Sequence, residues 1–337
     1  MTVIQKPIAV VTGGAGFIGS HMTDLLLREG YRVRVLDNLS GGRESNLAHH
    51  AGNADLTLER LDIRELQPDD SSFRCVSEVY HFAGIGDLVP SIEQPIDYLA
   101  TNVQGTVRVL EAARRGGEGS LKRFVYAASS SCYGLADTPT VETHPIRPQY
   151  PYALSKYLGE QAVLHWGQVY GMPVNSMRIF NAYGPRVRTT GAYGAVFGVF
   201  FRQKLAGKPY TVVGDGTQSR DFIYVTDVAR AFYLAAQGGH PGEIYNIGAG
   251  RPQTVLHLVE LLGGEVVFIP KRPGEPDCTW ADTDKITRQL GWQPNVDFAT
   301  GVANMLAEID NWRDAPLWDV ASIAQATATW FKYLDKP

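Results

Sequence analysis

Length, composition and charge describe an ordinary globular chain. It has 337 residues, of which 44% are hydrophobic and 20% charged, enough for a large core and two domains. The formal net charge of −4 at pH 7 provides no basic field, so neither nucleic acid nor an anionic membrane is an expected partner. No apolar run reaches the roughly 18 residues that span a bilayer, and no charged-then-apolar leader precedes the first apolar run. We therefore expect neither a membrane span nor a signal peptide.

The cysteines indicate a reducing compartment. There are three, an odd number, and they lie far apart at positions 75, 132 and 278. Their spacing matches neither a disulfide framework nor a metal site. We therefore expect reduced thiols, no bound metal and a cytoplasmic location.

The first element in chain order is an apolar strand at 8–11, and a glycine-rich turn follows it. Residues 12–20 read Thr-Gly-Gly-Ala-Gly-Phe-Ile-Gly-Ser. Gly13 permits the tight turn, Gly16 lets backbone N–H groups approach phosphate, and Gly19 lets the following helix pack closely on the strand. The N-terminus of that helix would face the anion. The turn therefore predicts a bound dinucleotide.

The second strand, at 31–36, ends on an acidic residue, Asp37. An acid about 20 residues beyond the glycines can bind the adenosine ribose hydroxyls and repel a 2′-phosphate. This position predicts NAD as the cofactor. Arg43 could pair with a 2′-phosphate, which leaves NADP as an alternative.

Strand and helix patterns alternate as far as residue 181. Alternation of this kind predicts parallel strands, right-handed crossovers and ligands at the carboxyl ends of the strands. The fold class is therefore α/β, a Rossmann-type doubly wound parallel sheet with a smaller C-terminal substrate-binding domain. The later strands are predicted near 56–61, 76–82, 123–128 and 174–180, and the later helices near 97–115 and 152–170.

Composition shifts after residue 181 towards Gly, Pro, Tyr and Phe, and the elements become shorter. We predict a dinucleotide-binding domain at 1–181, to which 225–250 return as a helix and a strand. The second domain would comprise 182–224 and 251–337. It would end in an amphipathic helix over about 320–334, which could serve core packing, subunit contact or a lid over the pocket.

A second group of polar residues lies at two further element ends. A serine-rich stretch at 129–131 leaves the strand at 123–128, and Tyr152 and Lys156 open a helix. Residues at i and i+4 share one helix face, so the hydroxyl and the ammonium can share a site. A phenol with a pKa of about 10 is a poor base at neutral pH, but a nearby ammonium and a positive nicotinamide favour its phenolate. Tyr152 could then remove a proton from a sugar hydroxyl.

With these motifs, the chain resembles the extended short-chain dehydrogenase/reductase family, in particular its NAD-dependent nucleotide-sugar epimerases and dehydratases. The resemblance runs from about residue 7 to 300. The matching stretches are TGGAGFIGS (12–20), DNLSGG (37–42), LDIR (61–64), HFAG (81–84), TNVQGT (101–106), SSSCYG (129–134), YALSK (152–156), RIFNAYGPR (178–186), GDGTQSRDFIYVTDVARA (214–231), YNIGAG (245–250) and RPGEP (272–276).

The resemblance implies roles for individual residues. Ser129, Tyr152 and Lys156 would be catalytic, with the Ser129 hydroxyl bonding the reacting oxygen and relaying a proton to Tyr152. Asp62 and Ile63 would hold adenine. The full set of expected cofactor contacts is Gly13, Gly16, Phe17, Ile18, Gly19, Asp37, Asn38, Ser40, Gly42, Asp62, Ile63, Phe82, Ala83, Gly84, Asn102, Tyr152, Lys156 and Phe180.

The resemblance also implies a nucleotide-sugar site. Asn181, Arg220 and Arg272 would contact the diphosphate, while 192–196 and 210–213 would pack the base and ribose. Thr279 would border the hexose pocket, where a small residue admits N-acetylated sugars, although a surface-strand threonine is nearly as compatible. Asp87 fits a sugar contact and a loop cap equally well. The expected substrate contacts are Asp87, Ser129, Ser130, Tyr152, Asn181, Arg220, Arg272 and Thr279.

The residues after Ser129 discriminate among the chemistries of this family. Its sugar 4,6-dehydratases carry an Asp-Glu pair there, and its nucleotide-glucuronate decarboxylases carry Glu at the second position. This chain has Ser130 and Ser131. We therefore expect a 4-epimerase that forms a transient 4-keto sugar with recycled NAD, on a UDP-hexose or UDP-N-acetylhexosamine. A dehydratase, a 4-dehydrogenase and a non-catalytic cofactor-binding protein are the alternatives. The family commonly pairs through the helices at 97–115 and 152–170, which implies a homodimer with a four-helix interface.

Overall fold

In the computed structural model, which describes residues 6–190, 196–271 and 273–334, strands and helices alternate from the first element onward. Of the sequence predictions, residues 192–195 and Arg272 lie outside the described residues. The strands are β1 Ile8–Thr12, β2 Arg32–Asp37, β3 Leu56–Arg60, β4 Glu78–His81, β5 Arg123–Ser129, β6 Val174–Ile179, β7 Asn181–Tyr183, β8 Tyr210–Val213, β9 Ser219–Arg220, β10 Phe222–Tyr224, β11 Ile244–Ile247, β12 Gln253–Thr254 and β13 Val266–Ile269.

The helices connect these strands and close the chain. They are α1 Phe17–Arg28, α2 Leu88–Glu93, α3 Pro95–Leu99, α4 Thr106–Gly116, α5 Pro151–Tyr170, α6 Val196–Leu205, α7 Val225–Gly238, α8 Val255–Leu262, α9 Asp284–Leu290, α10 Phe298–Ala307 and α11 Val320–Leu334. Short 3₁₀ turns cover Glu44–His50, Ser71–Phe73, Ser130–Tyr133 and Ile309–Trp312. No helix within the described ranges is both long enough and apolar enough to cross a membrane.

The central sheet has seven strands in the order β11-β6-β5-β4-β1-β2-β3. Each neighbouring pair in it is parallel. The chain runs outward from β1 through β2 to β3, and then returns to the other side of β1 with β4. Ligands bind in the crevice at such a switch point. The predicted Rossmann-type parallel sheet is therefore confirmed.

Helices cover both faces of this sheet, which explains why strands such as β1 and β6 are buried along their whole length. All residues of β1 and β6 are buried. On one face, Met22 of α1 and Phe232 of α7 belong to the same core cluster as Val11. On the other face, Leu110 of α4 and Val163 of α5 cluster with Val10. Parallel strands covered on both faces read as continuous apolar runs rather than as alternating ones.

The helix predicted at 97–115 is present but is not regular. The chain is helical from α3 to α4, and Ala100–Gly105 between them form a π-helical segment. At Gly105 a Cβ atom would lie 2.7 Å from Cδ1 of Ile63, so the segment packs tightly against the chain that follows β3. π-Segments of this kind are common at functional sites.

A second core lies beyond the sheet and is rich in aromatic side chains. Tyr183, Phe197 and Phe298 stack or pack edge to face around Phe222. The parallel pair β8–β13 and the helices α6, α8 and α10 enclose this core. Helix α11 coincides with the predicted C-terminal helix and contributes Ile323 to the same core.

Candidate active site

The glycine-rich turn after β1 is shaped by close backbone contacts. Gly13 has a φ of +68°, and a Cβ atom there would lie 2.7 Å from the backbone nitrogen of Ala83. A Cβ atom at Gly19 would lie 2.1 Å from the carbonyl oxygen of Gly13, so only glycine fits. Gly16 caps α1 and has no side chain with which to bond the first N–H groups of the helix. This cradle therefore presents backbone donors to an anion, which fits a dinucleotide pyrophosphate.

Asp37, at the end of β2, is buried beside this turn. Its carboxylate accepts hydrogen bonds from the backbone N–H groups of Ala15, at 3.0 Å, and Leu39, at 2.8 Å. Burial raises the pKa of Asp37 against these two bonds. The Arg43 guanidinium donates to the carbonyl oxygen of Val187 at 3.2 Å. The group that could have favoured NADP is thus engaged by the segment after β7.

Asp62 follows β3 and links the end of this strand to the loop after β2. It accepts a hydrogen bond from the Asn38 amide at 3.0 Å and one from the Arg64 guanidinium at 2.7 Å. Hydrogen bonds from Arg64 hold the pKa of the Asp62 carboxyl well below its usual range. Asp62 is therefore ionised, and it links the two segments that the resemblance assigns to adenosine.

These groups line one cleft of about 770 Å³ that extends from the glycine turn to Tyr152. Every cofactor contact expected from the sequence lies on its wall except Asn102, which is not among the described residues that line it. Asn102 is buried, accepts a hydrogen bond from the N–H of Ile85 at 2.9 Å and donates to the Ser155 hydroxyl at 2.9 Å. The Asn102 amide therefore holds the loop after β4 in place. Asn102 would influence a bound cofactor only through the position of that loop.

Ser129, Tyr152 and Lys156 meet at the inner end of the cleft. Ser129 is the last residue of β5, and the other two lie one turn apart at the start of α5. The Ser129 side chain lowers the pKa of the Tyr152 hydroxyl against the effect of burial, so the two side chains lie beside each other. The Ser129 hydroxyl also donates to that of Ser131 at 2.9 Å. The structure thus brings the three predicted catalytic residues together.

Burial dominates the titration of both Tyr152 and Lys156. It raises the pKa of Tyr152 in spite of the Ser129 side chain, which opposes the rise. It lowers the pKa of Lys156 to about 8, against the effect of the neighbouring Glu160 carboxylate. In the protein alone, desolvation outweighs the other influences on Tyr152, and the phenolate expected from the sequence depends on the positive nicotinamide as well as on the ammonium.

A buried ion pair lies behind these residues, and the sequence reasoning missed it. Glu160, one turn beyond Lys156, accepts hydrogen bonds from Arg178 at 2.6 and 3.0 Å and from the Ser176 hydroxyl at 2.7 Å. Arg178 also donates to the Tyr133 hydroxyl at 2.8 Å. The signal was available: glutamate stands four residues after the lysine of YALSK, and arginine opens the matched stretch RIFN.

Asp87, which lines the same cleft, is the N-cap residue of α2. Within the described ranges its carboxylate does not cap the helix but lies 3.5 Å from the Arg188 guanidinium. Its backbone carbonyl accepts a hydrogen bond from the Tyr98 hydroxyl at 2.6 Å. Asp87 lines the cleft, whereas Ser130 is not among the described lining residues.

The predicted diphosphate contacts are divided between two cavities. Asn181 lines the main cleft. Arg220 lines a neighbouring cavity of about 360 Å³ and pairs with Glu275 at 2.8 Å. The Thr279 hydroxyl donates to the Asn181 amide oxygen at 2.8 Å and accepts from the N–H of Asp221 at 3.2 Å. Thr279 was predicted to border the sugar pocket, but it is not among the described lining residues of either cavity, and its hydroxyl lies behind Asn181.

Together, the dinucleotide turn at the switch point of a parallel sheet and the Ser129, Tyr152 and Lys156 group define an oxidoreductase-type site of the short-chain dehydrogenase/reductase class. A model of the NAD dependent epimerase/dehydratase family matches residues 9–248, and the chain belongs to that family. The predicted family and the predicted cofactor, NAD, are both confirmed by this match.

Known relatives extend over nearly the whole chain. It is 35% identical over 312 residues to a putative UDP-glucose 4-epimerase of Methanocaldococcus jannaschii, covering 90% of this chain and 97% of that one. The structure of UDP-glucose 4-epimerase from Thermotoga maritima with UDP-glucose is similar with a TM-score of 0.82 and 33% identity, over 90% of this chain and 99% of that one. A dTDP-glucose 4,6-dehydratase from Streptomyces venezuelae, solved with NAD, is similar with a TM-score of 0.79 and 32% identity, over 90% and 96%.

Proposed function

We propose that this protein is an NAD-dependent nucleotide-sugar 4-epimerase that acts on a UDP-hexose or a UDP-N-acetylhexosamine. Relatives named as UDP-glucose 4-epimerases support this, but a 4,6-dehydratase is structurally similar too. The site itself favours epimerisation. Elimination of water needs an acid and a base beside the sugar, and this chain has Ser130 and Ser131 directly after the reactive serine.

In the proposed reaction, the described residues hold the reactants and move a proton. The glycine turn would bind the NAD pyrophosphate and Asp37 the adenosine ribose. When bound, NAD supplies a hydride acceptor that takes hydrogen from sugar C4 and later returns it. Tyr152 would remove the proton of the C4 hydroxyl, with Ser129 bonding the same oxygen, and give it back after the 4-keto sugar has presented its other face. The Lys156 ammonium would favour the tyrosinate.

Product analysis on a panel of nucleotide sugars tests this proposal. The purified protein is incubated with UDP-glucose, UDP-N-acetylglucosamine and dTDP-glucose, and the products are examined by mass spectrometry and NMR. An unchanged mass with the proton couplings of the C4 epimer supports the proposal. Loss of about 18 Da would instead identify a dehydratase, and loss of two hydrogens a net dehydrogenase. The choice between the two UDP sugars would decide whether the pocket admits an acetamido group.

We also propose a homodimer formed through the helices around α4 and α5. Leucine side chains on the outer face of α5, at Leu154 and Leu158, are exposed, and Ile96 of the neighbouring α3 is 79% exposed. Exposed apolar side chains grouped on one helical surface are typical of a subunit interface. Sedimentation of the native protein and of Leu158→Arg tests this: the native protein should be a dimer, and the variant should dissociate.

The domain division and the cellular location are proposals as well. Residues 1–181 with 225–250 would form the NAD-binding domain, and 182–224 with 251–337 the nucleotide-sugar domain. The pairing of β11 with β6 supports the return of the chain to the first domain. All three cysteines are free thiols, which supports a cytoplasmic location.

A further inference from the structure

The C-terminal helix α11 joins the loop after β13 to the start of the catalytic helix α5. The indole N–H of Trp330, which is buried, donates to the carbonyl oxygen of Pro273 at 2.8 Å. The ring of Trp330 packs on that of Tyr150, with 5.2 Å between centroids. One residue earlier, the Thr329 hydroxyl donates to Glu93 of α2 at 2.9 Å. A single turn of α11 therefore contacts three separate segments around the sugar end of the cleft.

An aromatic series leads from this helix to the proposed acid–base residue. The Tyr150 and Tyr152 rings are nearly parallel, at 10° and 6.4 Å between centroids. Tyr98 meets the Tyr152 ring edge-on from the other side, at 6.5 Å. The Ser131 side chain, which bonds Ser129, lowers the pKa of Tyr150 against the effect of burial and so lies beside its hydroxyl. The Tyr150 ring thus packs between the rings of Tyr152 and Trp330.

We propose that Trp330 is a positioning residue for Tyr152 and acts through Tyr150. Tyr150 is the N-cap residue of α5, and its side chain does not cap the helix within the described ranges. Its ring is instead held by Trp330, whose own indole is fixed by the Pro273 carbonyl. The position of the Tyr152 hydroxyl therefore depends on a helix that lies nearly 180 residues away in the chain. The inference rests on the proposed role of Tyr152.

Kinetics of the holoenzyme variants test this inference. In Trp330→Ala the Tyr150 ring loses its support, and kcat for the proposed epimerisation should fall by about 10-fold or more, since small misplacements of a reacting group are costly. KM should change by less than about 3-fold. Trp330→Phe keeps a ring against Tyr150 and should retain most of kcat. The matched control is Tyr333→Ala on the same helix, whose side chain is exposed and should be dispensable.

A double-mutant cycle shows whether Trp330 acts through Tyr150. If it does, the double variant Trp330→Ala, Tyr150→Ala should have a kcat within about 2-fold of that of Tyr150→Ala alone. Once Tyr150 is an alanine, Trp330 has no ring left to support, so its loss should have little further effect. If the fold reductions in kcat of the two single variants instead multiply in the double variant, the two residues act independently and the inference is overturned.

Hydrogen exchange provides a readout that needs no turnover. In Trp330→Ala, the backbone amides of residues 150–156 should exchange at least about 5-fold faster than in the native protein, and in Tyr333→Ala they should be unchanged. Unchanged exchange in the tryptophan variant would overturn the inference whatever reaction the protein performs. Faster exchange in a protein that converts no nucleotide sugar would uphold the contact and contradict the proposed function alone.

Discussion

Breaking the ion pair between Glu160 and Arg178 should weaken both the fold and the active site. The two side chains are 1% and 3% exposed, and the carboxylate accepts three hydrogen bonds. Glu160→Gln leaves the Arg178 charge buried without its counter-ion, which typically costs about 3–5 kcal/mol. For 337 residues with an unfolding entropy of roughly 2.1 cal/mol/K per residue, Tm should fall by about 4–7 °C.

The same variant should shift the pH dependence of activity. The Glu160 carboxylate opposes the lowering of the Lys156 pKa by burial, so its removal lets that pKa fall further below about 8. Lys156 would then lose its proton at a lower pH, and the proposed support for the tyrosinate would be lost with it. We expect the alkaline limb of the kcat/KM profile to move to lower pH in Glu160→Gln.

Asp310→Asn is the matched control, because its ion pair with Arg313 is exposed on both sides, at 70% and 69%. Thermal melting followed by circular dichroism should show a change corresponding to less than about 1 kcal/mol for this variant. The reasoning would be refuted if Glu160→Gln melted as the control does. An unmoved alkaline limb in a destabilised Glu160→Gln would limit the role of the pair to stability.

Three further variants or measurements test the site. Tyr152→Phe should retain NAD and substrate binding but lose at least about 10²-fold in kcat, the usual scale for a positioned acid–base group, and near-normal turnover would exclude the proposed role. Chromatography of cofactor released by denaturation should yield NAD, in keeping with the buried Asp37 carboxylate, and recovery of NADP would contradict this assignment. Thr279→Val removes a hydrogen bond to Asn181 that is worth about 1 kcal/mol. KM for the nucleotide sugar should therefore rise by about 5–10-fold while kcat stays nearly constant. An unchanged KM would show that the Asn181 amide does not bind the substrate.

Local patterns were sufficient for the architecture but not for its irregularities. The apolar run of β1 and the alternation of strands with helices predict a parallel sheet, because strands covered on both faces need no polar alternation. The π-helical segment Ala100–Gly105 had no such signal. Gly105 of this segment approaches Ile63 closely, a contact between distant segments that periodicity along one helix cannot register.

The motifs predicted which residues form the site more reliably than they predicted the direction of each side chain. The glycine turn and the Tyr152–Lys156 spacing fix both place and direction, because a tight turn and one helix face leave little freedom. The direction of a single polar side chain depends on its partners. Thr279 faces Asn181 and Asn102 faces the loop at Ile85, and neither partner is close to it in sequence.

The pKa of Tyr152 likewise depends on the surroundings of its side chain, which the motif does not specify. The sequence predicted that the ammonium one turn away and a positive nicotinamide together favour the phenolate, and in the protein alone burial of the phenol has the larger effect. The raised pKa of Tyr152 favours the protonated phenol in the protein alone. Positive charge brought into the cleft would favour the tyrosinate, and a bound oxidised nicotinamide carries such a charge. A low pKa for Tyr152 should accordingly appear only in the holoenzyme, and ultraviolet difference titration of the protein with and without NAD would measure it.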